Sequence, residues 1–373
     1  MAETAYQPAW TVIDLGALEH NCREVARRVG TGVKVIASIK ADAYGHGAVA
    51  CARRLAQAGC FALATGDVAE AAAMRDAGIR TPILVFGSFL PQDVPYLLAR
   101  DLIPTVYNFE TAEAVSRAAK VPAPVYVKVD CGLGRLGVAL DDAGIFVRRI
   151  ASLPHLQVAG LYTHIPFFDD ASRARTEARL PAFEALADSL ARGGIGPLVT
   201  QALASSAVLT GLKDQCNAVC VGHILYGLSS MAQGQADMSA FRPVLREIGS
   251  HLIHVAHHPA GRDVAIGGHY GIANAMVTGV LPVGAQHGMR GAAPRRTAEV
   301  LIRGRRAKVM SVTLEHTTLD LTGIDSPRVG EKVLVLGGDG PARIALEDVA
   351  AWQGRPPLEA AMTFSKRLPV REI

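Results

Sequence analysis

Residues 33–47, VKVIASIKADAYGHG, place an amine, that of Lys40, at the end of an apolar run. A solvated cation at the end of a strand is the commonest role for such a lysine. An amine held against apolar walls has instead a lowered pKa and becomes a nucleophile. The role of Lys40 therefore depends on which residues share its end of the fold.

Four other segments carry residues that do chemistry, and each follows an apolar run. Arg135 lies in KVDCGLGRLGV and His164 in YTHIPFF, while two small-residue segments contain Ser205 and Ser206, and Gly222 and His223. Backbone amides beside small residues can bind phosphate. A lysine combined with a phosphate site suggests pyridoxal 5′-phosphate bonded to that lysine.

The elements that must position these residues form a regular series. Apolar runs alternate with helical spacing between about residues 33 and 230: KVIASI, CFALAT, PILVFG, LIPTVY, PVYVKV, QVAGLYTH, LVTQAL and NAVCVG. Eight such units predict a closed (β/α)8 barrel, whose carboxyl-terminal strand ends carry the chemistry. An open doubly wound sheet is the structural alternative, but no GxGxxG opens a helix. The candidate residues all follow strands and would meet at one face of the barrel.

The sequence pattern changes after about residue 240, where polar and apolar residues alternate around glycine-rich turns, as in EKVLVLGGDG. This pattern is typical of β structure. We therefore predict an α/β fold with two domains, a (β/α)8 barrel over residues 1–238 that binds the cofactor and a β-rich domain over residues 239–373.

Composition narrows the class of protein. Lys and Arg exceed Asp and Glu by 38 to 34, spread along the chain, so we expect no nucleic-acid partner. No apolar stretch approaches the length of a membrane helix and no leader is evident, so we expect no membrane partner and a cytoplasmic location. The six cysteines form no CxxC pair and no metal-type cluster with histidine, so we expect reduced thiols and no metal.

The chain resembles the alanine racemase family, fold-type III pyridoxal-phosphate enzymes, over nearly its whole length. IKADAYGHG is the most specific match, and KVDCGLGRLGV, GLYTH, SSAVL and GHILYGL follow in family order. The resemblance implies that Lys40 bonds to the cofactor aldehyde and acts as an acid/base, and that the protein is a homodimer in which the β domain completes the partner's active site.

Further roles follow only from the resemblance. Tyr44, Ser206 and the amides of Gly222 and His223 would contact the phosphate, with Ser205 beside them where the family has asparagine. Arg135, steadied by Lys128, would contact the phenolate oxygen of the cofactor, and His164 would lie beside the ring.

Three departures from the family concern the chemistry. Cys220 in VCVGHILYG occupies the position of the family's arginine at the pyridine nitrogen, where it either alters the electron sink or merely fills space. Ala285 in VGAQHGMRG replaces the tyrosine that acts on the face opposite the lysine, and TLEH, with Leu314, replaces a segment near the substrate carboxylate. Alanine cannot transfer a proton, and two-base racemisation needs an acid/base on each face.

The sequence therefore predicts an enzyme acting at Cα of a small amino acid by single-base chemistry, with aldol-type cleavage as the leading hypothesis and transamination or decarboxylation beside it. One alternative is a racemase whose second base is His164, His287 or His269. Another is a non-catalytic cofactor-binding relative.

Overall fold

The computed structural model describes residues 8–264, 270–339, 342–364 and 368–373, and its chain divides into two compact units. The barrel unit comprises Gly16–Ala43 and Gly47–Pro243. The β unit comprises Met1–Leu15, Tyr44–His46 and Val244–Ile373.

The chain begins with strand β1 (Ala9–Ile13), and nine strands of the barrel region follow: β2 (Lys34–Ser38), β3 (Ala62–Thr65), β4 (Ile83–Val85), β5 (Leu102–Val106), β6 (Ala123–Asp130), β7 (Val138–Ala139), β8 (Leu156–Tyr162), β9 (Val199–Gln201) and β10 (Ala218–Val221). The helices of this region are α1 (Leu15–Val29), α2 (Lys40–Gly45), α3 (Ala48–Gln57), α4 (Val68–Asp76), α5 (Val94–Leu98), α6 (Phe109–Ala118), α7 (Leu140–Ala151), α8 (Asp170–Arg192) and α9 (Ser205–Thr210), with 3-10 turns at Pro91–Asp93 and His223–Tyr226.

The barrel closes through parallel pairing. The strand order is β5-β4-β3-β2-β10-β9-β8-β6, and β5 pairs with β6, as Thr105 opposite Tyr126 shows. The eight predicted runs each overlap one of these strands, so the predicted (β/α)8 barrel is confirmed. Strand β7 adds a short parallel pairing at the end of β6.

Side chains of the strands alternate between two cores because successive strand residues point to opposite faces. Val125, Val127 and Val129 of β6 pack in one cluster with Phe146 of α7 and Phe183 of α8. A second cluster takes residues from seven barrel strands: Ile36, Ala62, Ala64, Leu84, Tyr126, Tyr162, Val199 and Ala218. Strand pairing places that second cluster inside the barrel, and Lys128, two residues after Tyr126, shares its face.

The β unit contains β11 (Leu245–His251), β12 (His254–His258), β13 (Asp263–Val264), β14 (Tyr270–Gly271), β15 (Met276–Leu281), β16 (Glu299–Ile302), β17 (Arg305–Val312), β18 (Thr317–Asp320), β19 (Lys332–Leu336) and β20 (Val370–Glu372). Its helices are α10 (Leu346–Gln353) and α11 (Pro357–Phe364), with a 3-10 turn at Ala285–His287. The main sheet has the order β12-β15-β18-β17-β16-β19-β11-β1-β20, and β13 pairs with β14. The predicted β-rich character of this region is confirmed.

The first strand does not follow the predicted division of the chain. We placed residues 1–238 in the barrel, whereas β1 pairs antiparallel with β11 and parallel with β20, in the sheet of the β unit. Four of its five residues are buried there. The cause is pairing with strands distant in sequence, which no local pattern at residues 9–13 indicates.

Two remaining expectations concern thiols and membranes. All six cysteines are free, and five of them are buried. Within the described part of the chain, no helix has both the length and the apolar character to cross a bilayer.

Candidate active site

Lys40 opens an unusual turn at the carboxyl end of β2. Helix α2 begins at this residue, and the four residues from Ala41 to Tyr44 have φ between 53° and 56°, so the turn is left-handed. The Lys40 side chain reaches solvent at the barrel mouth, yet surrounding protein atoms remove part of its hydration. Desolvation, assisted by the charge of Arg135 and opposed by Cys220, lowers its pKa. A lowered pKa increases the fraction of neutral amine, which is the form of lysine that attacks an aldehyde.

Arg135 is presented by a loop that Asp130 organises. The Asp130 carboxylate accepts hydrogen bonds from the amides of Gly132, Leu133 and Gly134 at 2.8, 2.7 and 2.9 Å. These bonds fold the segment between β6 and β7 back over the end of β6. Arg135 follows immediately and is exposed at the barrel mouth.

His164 follows β8 and stands in a field of positive charge. Desolvation lowers its pKa to about 3, and the cations Lys128, Lys40 and Arg135, together with His223, act in the same direction. The imidazole is therefore neutral at physiological pH. In this neutral form one ring nitrogen donates a hydrogen bond and the other accepts one, and the imidazole is not a strong acid.

Lys128 is a buried cation beneath this group. Its relative exposure is 5%, and its ammonium lies 4.5 Å from the centre of the Tyr162 ring. Desolvation and then Arg135 lower its pKa to about 8. Lys128 therefore carries a proton at neutral pH that it releases readily.

The serine and glycine residues predicted to hold phosphate meet at the ends of β9 and β10. Ser205 and Ser206 open α9, and both are buried. The Gly222 amide donates a hydrogen bond to Ser205 Oγ at 3.1 Å. The predicted contact of this amide with phosphate stays a prediction, and it requires that bond to be exchanged. His223 begins the next turn, and desolvation followed by the charge of Lys40 lowers its pKa.

Cys220 lies on β10, opposite Ile36 of β2. Desolvation raises its pKa to about 12, against the opposing effect of Lys40 and Lys128. Of the two states considered from the sequence, the neutral thiol is therefore the one present at physiological pH.

The predicted substrate-side residues belong to the β unit. The Ala285 amide donates to the carbonyl of Thr313 at 2.8 Å, and the Gln286 amide donates to the carbonyl of Leu314 at 3.0 Å. These bonds join Ala285 and Leu314 into one local structure, in which Leu314 is 75% exposed.

The candidate substitute bases differ in what the structure shows. His287 Nδ1 accepts a hydrogen bond from the Gly284 amide at 3.1 Å and thereby caps the 3-10 turn, so proton transfer by this imidazole would have to use Nε2. His164 is neutral in the barrel unit, as described above. His269 lies outside the described residues.

Comparison with known proteins decides the family. The model "Alanine racemase, N-terminal domain" matches residues 13–230, and "Alanine racemase, C-terminal domain" matches residues 246–372. The chain belongs to the alanine racemase family. Its cofactor is therefore pyridoxal 5′-phosphate, on which enzymes of this family depend.

Individual members of the family match along almost the entire chain. Alanine racemase from Synechocystis is 34% identical over 97% of this chain and 98% of its own length. That from Halothermothrix orenii is 32% identical over 97% and 96%. The crystal structure of alanine racemase from E. faecalis superposes with a TM-score of 0.89 at 27% identity, covering 100% of both chains.

The donor set of this member of the alanine racemase family fits the cofactor. The charged groups that act on the pKa of His164 are Lys128, Lys40, Arg135 and His223, and each of them lowers it. The barrel mouth therefore has a positive potential. Such a site suits a phosphate ester and a phenolate. Lys40 would bond to the aldehyde, and Arg135, Ser205 and Ser206 would hold the anionic groups; these roles stay predictions.

Two polar residues of the site were absent from the sequence-based prediction. Asp130 supports the Arg135 loop, and an acidic side chain before a glycine-rich turn was a usable signal for it. Glu70, the second, contacts the turn after Lys40 from another helix, and no local pattern indicates it.

Proposed function

We propose that this protein is a pyridoxal-phosphate-dependent racemase of a small α-amino acid, with Lys40 as the acid/base on one face of the substrate. The observation that carries the proposal is that Lys40, whose pKa is lowered, lies at the mouth of the barrel together with the cations Arg135 and Lys128. The aldol-type cleavage, transamination and decarboxylation expected from the sequence have no support among the relatives, which are named alanine racemases.

The cofactor supplies an electron sink for the electrons left at Cα when its proton departs. Lys40 Nζ accepts and returns that proton on its own face, since its lowered pKa brings it toward the range where proton transfer is efficient. His164 is neutral and adds no charge to the site. Arg135 and protonated Lys128 supply the positive potential that holds anionic oxygens.

The opposite face is where this chain departs from its family. Ala285 carries no transferable proton, so inversion requires another acid/base, and His287 Nε2 is one candidate. The same alanine favours a second candidate function, in which Lys40 exchanges the Cα proton and returns it to the side it left. That activity would label the substrate without inverting it.

We propose that the enzyme is a homodimer in which the β unit of one protomer supplies Ala285 and Leu314 to the barrel mouth of the other. The support is the family membership and the predicted roles of these two residues. Light scattering coupled to size-exclusion chromatography measures the mass directly, and a monomer at working concentration would refute the arrangement.

The deciding experiment follows L-alanine and D-alanine in deuterated buffer by proton NMR and chiral chromatography. Racemisation predicts deuterium at Cα together with loss of optical purity. Single-face exchange predicts deuterium at Cα with retained configuration. If no amino acid in a panel of small amino acids gains deuterium at Cα or loses optical purity, both functions are contradicted.

Two variants assign the groups. Lys40→Ala, reconstituted with cofactor, is expected to lose the visible absorbance of the lysine-bound cofactor and all Cα exchange. His287→Asp retains a side-chain acceptor for the Gly284 amide, so the turn stays capped while the imidazole is lost. Loss of inversion with retained exchange in this variant would identify His287 as the second base.

A further inference from the structure

The left-handed turn after Lys40 needs external support. Left-handed backbone is unfavourable for residues with a Cβ atom, and Ala41, Asp42, Ala43 and Tyr44 adopt it in succession. Such a conformation persists only where surrounding contacts determine it. The direction in which Lys40 leaves β2 depends on those contacts.

A single carboxylate bridges this turn to the neighbouring strand. Glu70 Oε1 accepts a hydrogen bond from the Asp42 amide at 2.6 Å, and Oε2 accepts one from Thr65 Oγ1 at 2.8 Å. Thr65 is fully buried at the end of β3, which pairs with β2. The bridge thus runs from a rigid barrel strand, through Glu70, to the second residue after Lys40.

Asp42 passes the same restraint onward to α3. Its carboxylate accepts a hydrogen bond from the Ala48 amide at 2.8 Å, and its carbonyl accepts one from the Gly47 amide at 3.0 Å. Hydrogen bonds to Glu70 on one side and to the start of α3 on the other therefore meet at Asp42. Glu70 is the member of this set that comes from outside the local segment.

Packing encloses the second half of the turn, where Ala43 and Tyr44 are buried, but leaves the first half open. A cavity of about 750 Å³ borders Lys40, Ala41 and Glu70, and Gly66, Ser88 and Tyr96 also line it. Open space beside Lys40 and Ala41 leaves the backbone room to relax from its unfavourable conformation. A charge-assisted hydrogen bond, shorter and stronger than a neutral one, is suited to oppose that relaxation.

We infer that Glu70 is a positioning residue for the cofactor lysine: its carboxylate clamps the left-handed turn to β3 and thereby aims the Lys40 amine into the barrel mouth. The inference rests on the role proposed for Lys40. Both Glu70 oxygens are engaged by the Asp42 amide and the Thr65 hydroxyl, so its effect on Lys40 passes through the backbone of residues 41–44.

The chemistry of the bridge predicts graded effects. Two acceptor oxygens are needed at once, one for each donor. Glu70→Ala removes both, whereas Glu70→Gln keeps one acceptor for the Asp42 amide and presents its NH2 group to Thr65. Thr65→Val removes the hydroxyl donor with little change of shape and leaves the Asp42 bond in place.

The test measures cofactor binding and local backbone opening separately from turnover. Purified wild-type protein and the variants are depleted of cofactor and titrated with pyridoxal 5′-phosphate, following the absorbance of the lysine-bound form. Hydrogen exchange of peptides covering residues 40–47 is measured by mass spectrometry. We expect at least a tenfold weaker affinity and faster exchange for Glu70→Ala, a smaller effect for Glu70→Gln, and the smallest for Thr65→Val.

Glu113→Ala is the matched control because it removes a glutamate from another barrel helix, α6, whose partner is the surface residue Arg117. Unchanged affinity and unchanged exchange at residues 40–47 in Glu70→Ala, with only a lower melting temperature, would overturn the inference. If Glu70→Ala does not fold, wild-type affinity and exchange in Glu70→Gln and Thr65→Val would overturn it equally. Borohydride reduction of the wild type followed by peptide mapping tests Lys40 itself, so failure of the proposed function is distinguished from failure of the clamp.

Discussion

Replacing His164 tests the electrostatic description of the barrel mouth. Burial and neighbouring cations lower the pKa of His164 from 6.5 to about 3. Between these values the unfolded chain binds a proton that the folded chain does not, so the free energy of unfolding falls as the pH falls. At ~1.36 kcal/mol per pH unit, acidification from about pH 7.5 to about pH 4.5 removes about 2 to 3 kcal/mol through this one residue.

The variant His164→Gln lacks the titrating group, and the assay compares it with the wild type in the cofactor-depleted state. Urea unfolding followed by circular dichroism at fixed protein concentration gives the free energy of unfolding at each pH. We expect the wild type to lose about 2 to 3 kcal/mol more than His164→Gln over this range. Parallel pH dependences would refute the low pKa and with it the neutral state assigned to this imidazole.

Three other substitutions give direct checks. Lys128→Met removes a buried cation whose pKa is about 8, so it should stabilise the protein at pH 7 by about 1 to 3 kcal/mol. The gain should shrink as the pH rises from 8 toward 10.5, since the wild-type lysine loses its proton in the folded state before it does so in the unfolded state. Urea midpoints at pH 7 and pH 10 measure the gain, and an equal gain at both would contradict the assignment. Asp130→Ala leaves three amides without their acceptor and should cost about 1 to 3 kcal/mol in urea unfolding, whereas a neutral change would show that the Arg135 loop holds without it. Gly227→Ala places a Cβ atom against the Arg242 carbonyl at φ 73° and should lower the melting temperature. A melting temperature within 1 or 2 °C of wild type, about the experimental scatter, would contradict the close approach.

The barrel was predictable because its signal is local. Each parallel strand is buried on both faces and reads as a short apolar run, so the eight runs from KVIASI to NAVCVG identified the eight strands. The carboxyl ends of those strands then indicated that Lys40, Arg135 and His164 meet at one face. Their mutual effects on pKa agree with that placement.

The features that the sequence did not indicate depend on distant partners. Strand β1 has an apolar pattern that suits either unit, and only its pairing with β11 and β20 assigns it. The turn from Ala41 to Tyr44 contains no glycine, so local propensity gives no hint of positive φ. The Glu70 bridge and the bond from Gly222 to Ser205 likewise join residues that lie far apart along the chain.

The place of β1 in its sheet has a consequence for biosynthesis. Residues 9–13 leave the ribosome before the barrel, β11 emerges only after the whole barrel has been translated, and β20 comes later still. During that interval a largely apolar strand has neither of its neighbours, which is the situation that favours aggregation or capture by a chaperone. Nascent chains stalled before residue 245 should therefore engage holdases through residues 9–13, even when residues 16–243 have already collapsed.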